Sequence, residues 1–145
     1  MGYTNYWKQY RDFTGAEWLM IKDQYNYLRD VGEHHIFVDE TKHNTEIAFN
    51  GIKGQECETF ILEQTPFYNA VINEQPEYYY KFNFCKTRQK PYDLVVWQLL
   101  SWINNKFGDA VITISRDRHD MTKLDVIEDP IAHIYESSNS SPSSK

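Results

Sequence analysis

Polar and apolar positions change period several times along the chain, and each change predicts an element. Between Thr4 and Tyr10, the residues Tyr6, Lys8 and Tyr10 alternate with Asn5, Trp7 and Gln9, a two-residue period that predicts a strand. At Thr14 the period becomes helical. Thr14-Gly15-Ala16-Glu17 forms a capping-box sequence, and Trp18, Ile21, Tyr25 and Leu28 follow on one helical face before Gly32 offers a stop. Four short apolar or alternating runs come next: Ile36 to Val38, Glu46 to Phe49, Glu58 to Leu62 and Tyr79 to Phe84. Turn-forming sequences separate them, among them Asn50-Gly51, Lys53-Gly54 and Thr65-Pro66, so they read as successive, mostly antiparallel strands.

Pro91 suits the first turn of a second helix, whose stripe is Val96, Leu99, Leu100, Ile103 and Phe107 and which Gly108 ends. Val95, Trp97 and Trp102 make its other side apolar, so this helix is expected to be buried on both sides. Val111 to Ser115 alternates as a last strand, and the polar run after Arg116 predicts short irregular structure. The order of elements predicts an α+β fold, a mainly antiparallel sheet packed with two principal helices. One domain is expected over residues 1–136, followed by a disordered Ser-rich tail over 137–145.

A length of 145 residues fits one domain with a sizeable core. Aromatic residues make up 16% of the chain, eleven of them Tyr, and rings with a polar end suit interfaces and pockets as well as cores. So many rings also make a homo-oligomer a reasonable expectation. A net charge of −6 argues against a general grip on duplex nucleic acid. Cys57 and Cys85 form no Cys-x-x-Cys pair and no signal peptide is evident, which predicts reduced thiols and a cytoplasmic protein, the host cytoplasm if phage-encoded. The most apolar segment, Leu94 to Ile103, is too short to span a bilayer.

The most informative stretch runs from Phe82 to Asp93, where a strand, a basic turn and a helix start follow one another. A helix entrance offers unpaired N–H groups and a positive dipole end, and here three cations and a hydroxyl lie beside it. This predicts an anion site. Lys86, Arg88 and Lys90 would supply charge, Thr87 a hydroxyl, and the amides near Tyr92 and Asp93 the helix end. Tyr3, Tyr6, Trp7 and Tyr78 to Tyr80 could stack a base, Tyr6, Trp7 or Tyr92 would contact the base or sugar of a bound ligand, and Asn50 and Glu58 could read a base edge or ribose. The plainer alternatives are a solvated loop for the cations, core and edge-strand roles for the rings, and a first-turn charge for Asp93.

Catalytic candidates are weaker. His34, His35, His43, His119 and His133 can transfer protons near neutral pH, but none has a clear partner, and the His43-Asn44-Thr45 triplet lacks the second copy that two-histidine phosphoesterase chemistry needs. Cys85 next to Lys86 and Arg88 has the surroundings of an activated thiol, against which stands its place at the end of an apolar strand. His34, His35, Asp39, Glu40 and His43 cluster without diagnostic metal spacing, and Asp117, Arg118, His119 and Asp120 read as a charged loop. No catalytic residue, metal or cofactor is assigned.

Met1-Gly2-Tyr3-Thr4-Asn5-Tyr6-Trp7, Ala48-Phe49-Asn50-Gly51, Glu58-Thr59-Phe60 and Phe82-Asn83-Phe84-Cys85-Lys86-Thr87 with Lys90-Pro91-Tyr92-Asp93 together resemble a family of small phage and bacterial proteins with no assigned activity. The likeness spans most of residues 1–115. Only Ile52 to Cys57 stand where the family often has a longer insertion, so no site on that insertion is carried over. The resemblance implies a phage setting, in which a small protein acts on host machinery by binding. The leading expectation is a sponge that sequesters a nucleotide-derived immune signal, a nucleotide or ADP-ribose derivative, without catalysis. A phosphodiesterase degrading such a signal, with His43 or His119 as acid or base, is the second. A protein inhibitor of a host factor is the third.

Overall fold

A computed structural model describes residues 3–31, 36–38, 44–74 and 79–117. The elements run β1 (Thr4–Gln9), α1 (Gly15–Val31), β2 (Phe37–Val38), β3 (Glu46–Asn50), β4 (Phe60–Glu63), α2 (Pro66–Ile72), β5 (Lys81–Lys86), α3 (Asp93–Phe107) and β6 (Ile112–Arg116). The α+β class follows as expected, but the strands divide into two antiparallel sheets of three, β5-β1-β6 and β2-β3-β4. Strand β1 is central in the first. Along it Thr4 to Gln9 pair with Lys86 to Lys81 on one side, and Asn5 to Gln9 with Arg116 to Ile112 on the other. Full pairing with β1 carries β5 on to Lys86, two residues past the apolar run that marks it in sequence.

Alternation along β1 sorts its residues onto two faces. Asn5, Trp7 and Gln9 are buried, whereas Tyr6 and Lys8 remain partly open. Rings join the layers: Trp7 lies 5.0 Å from Phe60 of β4, Phe60 lies 5.0 Å from Phe49 of β3, and Phe49 stacks on Tyr25 of α1. Helix α3 is buried on both sides, as the sequence predicts, and packs against α1, β1 and β6. It begins at Asp93 rather than Pro91. The Asp93 and Leu94 amides reach only three residues back, to the Lys90 and Pro91 carbonyls, and the first four-residue bond is Val96 N–H to Tyr92.

Two N-termini are capped in different ways. At α1 the capping box forms as read: Thr14 Oγ1 accepts the Glu17 amide at 3.1 Å, and Glu17 Oε1 accepts the Thr14 amide at 2.9 Å. Arg11 grips the same carboxylate with two guanidinium nitrogens at 2.8 and 2.9 Å. Helix α2 is absent from the sequence reading. Its capping carboxylate is Asp12, 55 residues away, which accepts the Phe67 amide at 2.8 Å and the Tyr68 amide at 3.2 Å.

Asn50-Gly51 does not make a tight hairpin turn. Instead β3 and β4 are joined by residues 51–59, organised by the Asn50 side chain, whose Oδ1 accepts the Gly51 and Cys57 amides while its amide donates to the Cys57 carbonyl and Thr59 Oγ1. Gly51 is required by close approach, since a Cβ there would sit 2.0 Å from the Gln55 carbonyl oxygen.

Gly32, His34, His35, Asp39, Glu40, His43, Tyr78, Arg118, His119, Asp120, His133 and the Ser-rich tail lie outside the described residues. Among the described residues no helix is long and apolar enough to cross a membrane, and no metal-binding cluster of His, Cys, Asp and Glu occurs.

The Arg11 hydrogen bonds, helped by the Thr14 amide, hold the Glu17 carboxyl down at about 2. A carboxyl lowered on folding contributes stability that is complete above its unfolded value and lost as pH falls through its folded one. Stability should therefore decline between the ordinary carboxylate range and about pH 2. Glu17→Gln should be less stable at neutral pH and show a shallower acid limb in thermal midpoints measured against pH.

Candidate functional site

The site is built where β5 leaves the first sheet and α3 begins. The Lys90 amide bonds to the Thr87 carbonyl at 2.9 Å, closing a four-residue turn whose central residues, Arg88 and Gln89, have φ of 54° and 57°. Two consecutive positive values are the mark of a primed turn, for which Asn-Gly is the favoured sequence. Left-handed backbone costs an L-residue roughly 1–2 kcal/mol. The surroundings hold it in place: the Tyr3 carbonyl accepts the Thr87 and Arg88 amides, and Thr87 Oγ1 accepts the Gln89 amide at 3.3 Å.

Beneath the turn lies a buried polar knot. Asp93 Oδ1 accepts Asn5 Nδ2 and the Thr87 hydroxyl, each at 2.7 Å, while Asp93 Oδ2 is paired with the Arg116 guanidinium. Arg116 Nε donates to Asn5 Oδ1 at 3.0 Å, closing the ring of contacts. The guanidinium lies over the Tyr3 and Trp97 rings, 5.0 and 4.5 Å from their centroids. With the Arg116 and Asp93 side chains only 4% and 8% exposed, the pair is an interior feature. Asp117, next in sequence, accepts the Thr4 amide and the Tyr6 hydroxyl and so fixes the Tyr6 ring.

The second sheet reaches the same place through Glu58. Its amide donates to the Lys86 carbonyl at 3.0 Å and its carboxylate accepts the Lys86 amide at 2.8 Å, in the manner of a ladder step. The Glu58 carbonyl accepts the Tyr92 hydroxyl and the Cys85 thiol. Burial pushes the Cys85 thiol up to about 12, and burial likewise raises the Tyr92 phenol. Cys85 is thus a buried thiol held protonated, without the character of an activated nucleophile.

Most of the expected residues are brought together here, but in two layers with different duties. Thr87, Asp93, Tyr92, Asn50 and Glu58 make the foundation, each bonded to protein. Trp7 and Tyr92 are core rings, 1% and 0% exposed, so neither offers a face to a ligand base. The helix-end cradle also requires correction. The amides of Asp93, Leu94 and Val95 bond to carbonyls of Lys90, Pro91 and Tyr92. Anion contacts at this turn must then come from side chains. Lys86 and Arg88 are exposed, Lys90 is partly so, and among the described residues none of the three is in an ion pair. Tyr6 lies on the outer sheet face beside them.

The sequence reading missed Asn5 and Arg116, and it took Tyr3 as a ring for a base and Trp97 as an apolar helix position where both cover the guanidinium. Asn5 facing inward beside Trp7 on a buried strand was the available signal, since a buried amide requires partners. Nothing local ties Arg116 to residue 5.

Fold and site together define an α+β protein with a cationic, strained turn set on a buried ion pair. No protein-family model matches the chain, nor does any curated protein or solved structure.

Removing one member of a buried pair leaves the other charged and unpartnered, at a cost of about 3–5 kcal/mol. Arg116→Met should lower stability by about that amount in urea unfolding. Adding Asp93→Asn should recover part of the loss, giving a coupling energy well beyond that of an exposed pair.

Proposed function

We propose that this chain binds a small phosphate-containing molecule, a nucleotide or ADP-ribose derivative, and holds it without turnover. The observation that carries this reading is the turn at Arg88 and Gln89, where two L-residues are kept in a backbone conformation suited to glycine or asparagine. Such strain persists where the side chain displayed is worth more than the conformation costs. Here it displays a guanidinium between Lys86 and Lys90, able to grip a phosphate with two parallel hydrogen bonds. Tyr6 and Phe84, opposite one another across β1 and β5, lie at the same end of the sheet and offer rings for a base.

Binding is favoured over turnover by the state of nearby proton carriers. The Asp93 carboxylate is occupied by three side chains, and the Cys85 thiol is buried and protonated. The sequence resemblance to small phage and bacterial proteins supplies the setting, sequestration of a nucleotide-derived immune signal inside a host cell.

Thermal stabilisation across cyclic nucleotides, linear nucleotides and ADP-ribose derivatives is the direct test, since a ligand at 100 times its dissociation constant adds about 2.7 kcal/mol. The bound molecule should be released unchanged by heat, whereas a recovered product would mean hydrolysis. Lys86→Ala with Arg88→Ala should abolish binding and leave the fold intact. Arg88→Asn with Gln89→Gly should raise stability by about 1–2 kcal/mol through relief of left-handed strain and weaken binding at the same time. Unaltered affinity in both variants would remove the turn from the site.

A further inference from the structure

The first sheet exposes a row of aromatic rings on its outer face. On β1 and β5 Tyr6, Lys8, Phe82, Phe84 and Lys86 are partly or fully exposed while Thr4 is buried, and register sets Tyr6 opposite Phe84 and Lys8 opposite Phe82. Beyond the ladder Tyr10 and Tyr80 continue the row, their ring centroids 6.0 Å apart. Tyr80, Phe82 and Phe84 are 42%, 46% and 50% exposed. These rings form a connected row: Tyr6 stacks with Phe82 at 6.1 Å, and Phe82 lies 6.1 Å from Phe84. Cations border it, with Lys8 Nζ 4.8 Å from the Tyr80 ring centroid, Lys86 next along β5, and Arg88 in the turn beyond.

We infer that this face takes a ligand with more than one base, a short single-stranded oligonucleotide, linear or cyclic. The inference rests on the phosphate-binding reading of the Arg88 turn and extends that site along β5. Successive rings on one face of a strand stand about 6–7 Å apart. A single strand drawn out to about twice its duplex rise of about 3.4 Å can present successive bases to them. One nucleotide would use the Tyr6 and Phe84 end and leave Phe82, Tyr80 and Tyr10 in water. A duplex offers no open base faces, and the chain's net charge of −6 opposes it in general.

Charge also decides between this ligand and a second copy of the chain. A two-fold interface would bring the same patch together on both sides, setting Lys8 and Lys86 against cations. Among the described residues, the carboxylates at this end of the face are already held, Asp117 by the Thr4 amide and the Tyr6 hydroxyl and Glu58 by the Lys86 amide. A phosphodiester backbone matches the cations and a second copy does not.

The test is the affinity of a thymidine oligonucleotide series, from the 5′-mononucleotide to the octamer, measured by competition against a labelled octamer and by direct titration at low salt. Affinity should rise steeply from one nucleotide to three; Phe82→Ala should weaken the trimer about tenfold and leave the mononucleotide unchanged, whereas Phe84→Ala should weaken both. Both residues are half exposed, so unchanged circular dichroism and thermal midpoint should show the variants folded. Equal affinity for mononucleotide and trimer, lost on Lys86→Ala with Arg88→Ala, would overturn the extended site while the phosphate reading stands. If neither thymidine compounds nor the nucleotide and ADP-ribose panel bind, both fall. A dimer in light scattering that Phe84→Asp dissociates, with no oligonucleotide affinity, would assign the face to a second copy and overturn the inference.

Discussion

Arg116 and Asp93 meet in the interior, and the arrangement around them depends on that meeting. Asp93 opens α3, Arg116 closes β6, Asn5 lies on the central strand and Thr87 starts the turn. One carboxylate thus fixes a helix end relative to a strand end, a sheet centre and a loop. Two charges withdrawn from water pay heavily in hydration, and the pair persists because its remaining hydrogen-bonding capacity is used. Asn5 contributes both a donor and an acceptor, bonding the acid through its amide and the base through its oxygen. Tyr3 and Trp97 cover the flat guanidinium with ring faces, which suits arginine far better than lysine.

The same geometry relates stability to the surface above it. Thr87 spends its hydroxyl hydrogen on Asp93 and accepts the Gln89 amide with its oxygen. The strained turn is therefore an extension of the knot, and Arg88 is displayed from a rigid base. Glu58 adds a second attachment by tying β5 to the connection between β3 and β4. Rigid support limits the entropy lost when a ligand is gripped. The layering also separates roles: exposed Lys86 and Arg88 can be changed with little effect on the core, whereas Thr87 and Asp93 beneath them cannot.

Much of the fold is legible in the sequence because its determinants are local. The capping box at Thr14 and Glu17, the helical spacing of Trp18, Ile21, Tyr25 and Leu28, and the doubly apolar α3 all act within a few residues. What was not legible is set by distant partners. Helix α2 receives its cap from Asp12, and seven residues without a local cap give little signal. Division of the strands into two sheets turns on which strands pair with β1, a choice that alternation alone does not encode. The Phe82 to Asp93 segment was identified as the place where residues converge, but Thr87 and Asp93 serve the interior there. A hydroxyl and a carboxylate beside cations look the same in sequence whether their partner is a ligand or Arg116.

Strand β1 has a consequence for the order in which the molecule is completed. Its ladder partners are β5 and β6, far along the chain, and Asn5 bonds to residues 88 and 111 positions further on. Closing loops of that size precedes any reward from the contacts, so the topology favours slow folding. Until residue 116 has left the ribosome, the central strand has at least one unpaired edge and Asp93 lacks its cation. A nascent chain of this design therefore depends on delayed docking of β6, and any truncation before Arg116 would strand both β1 and the buried acid.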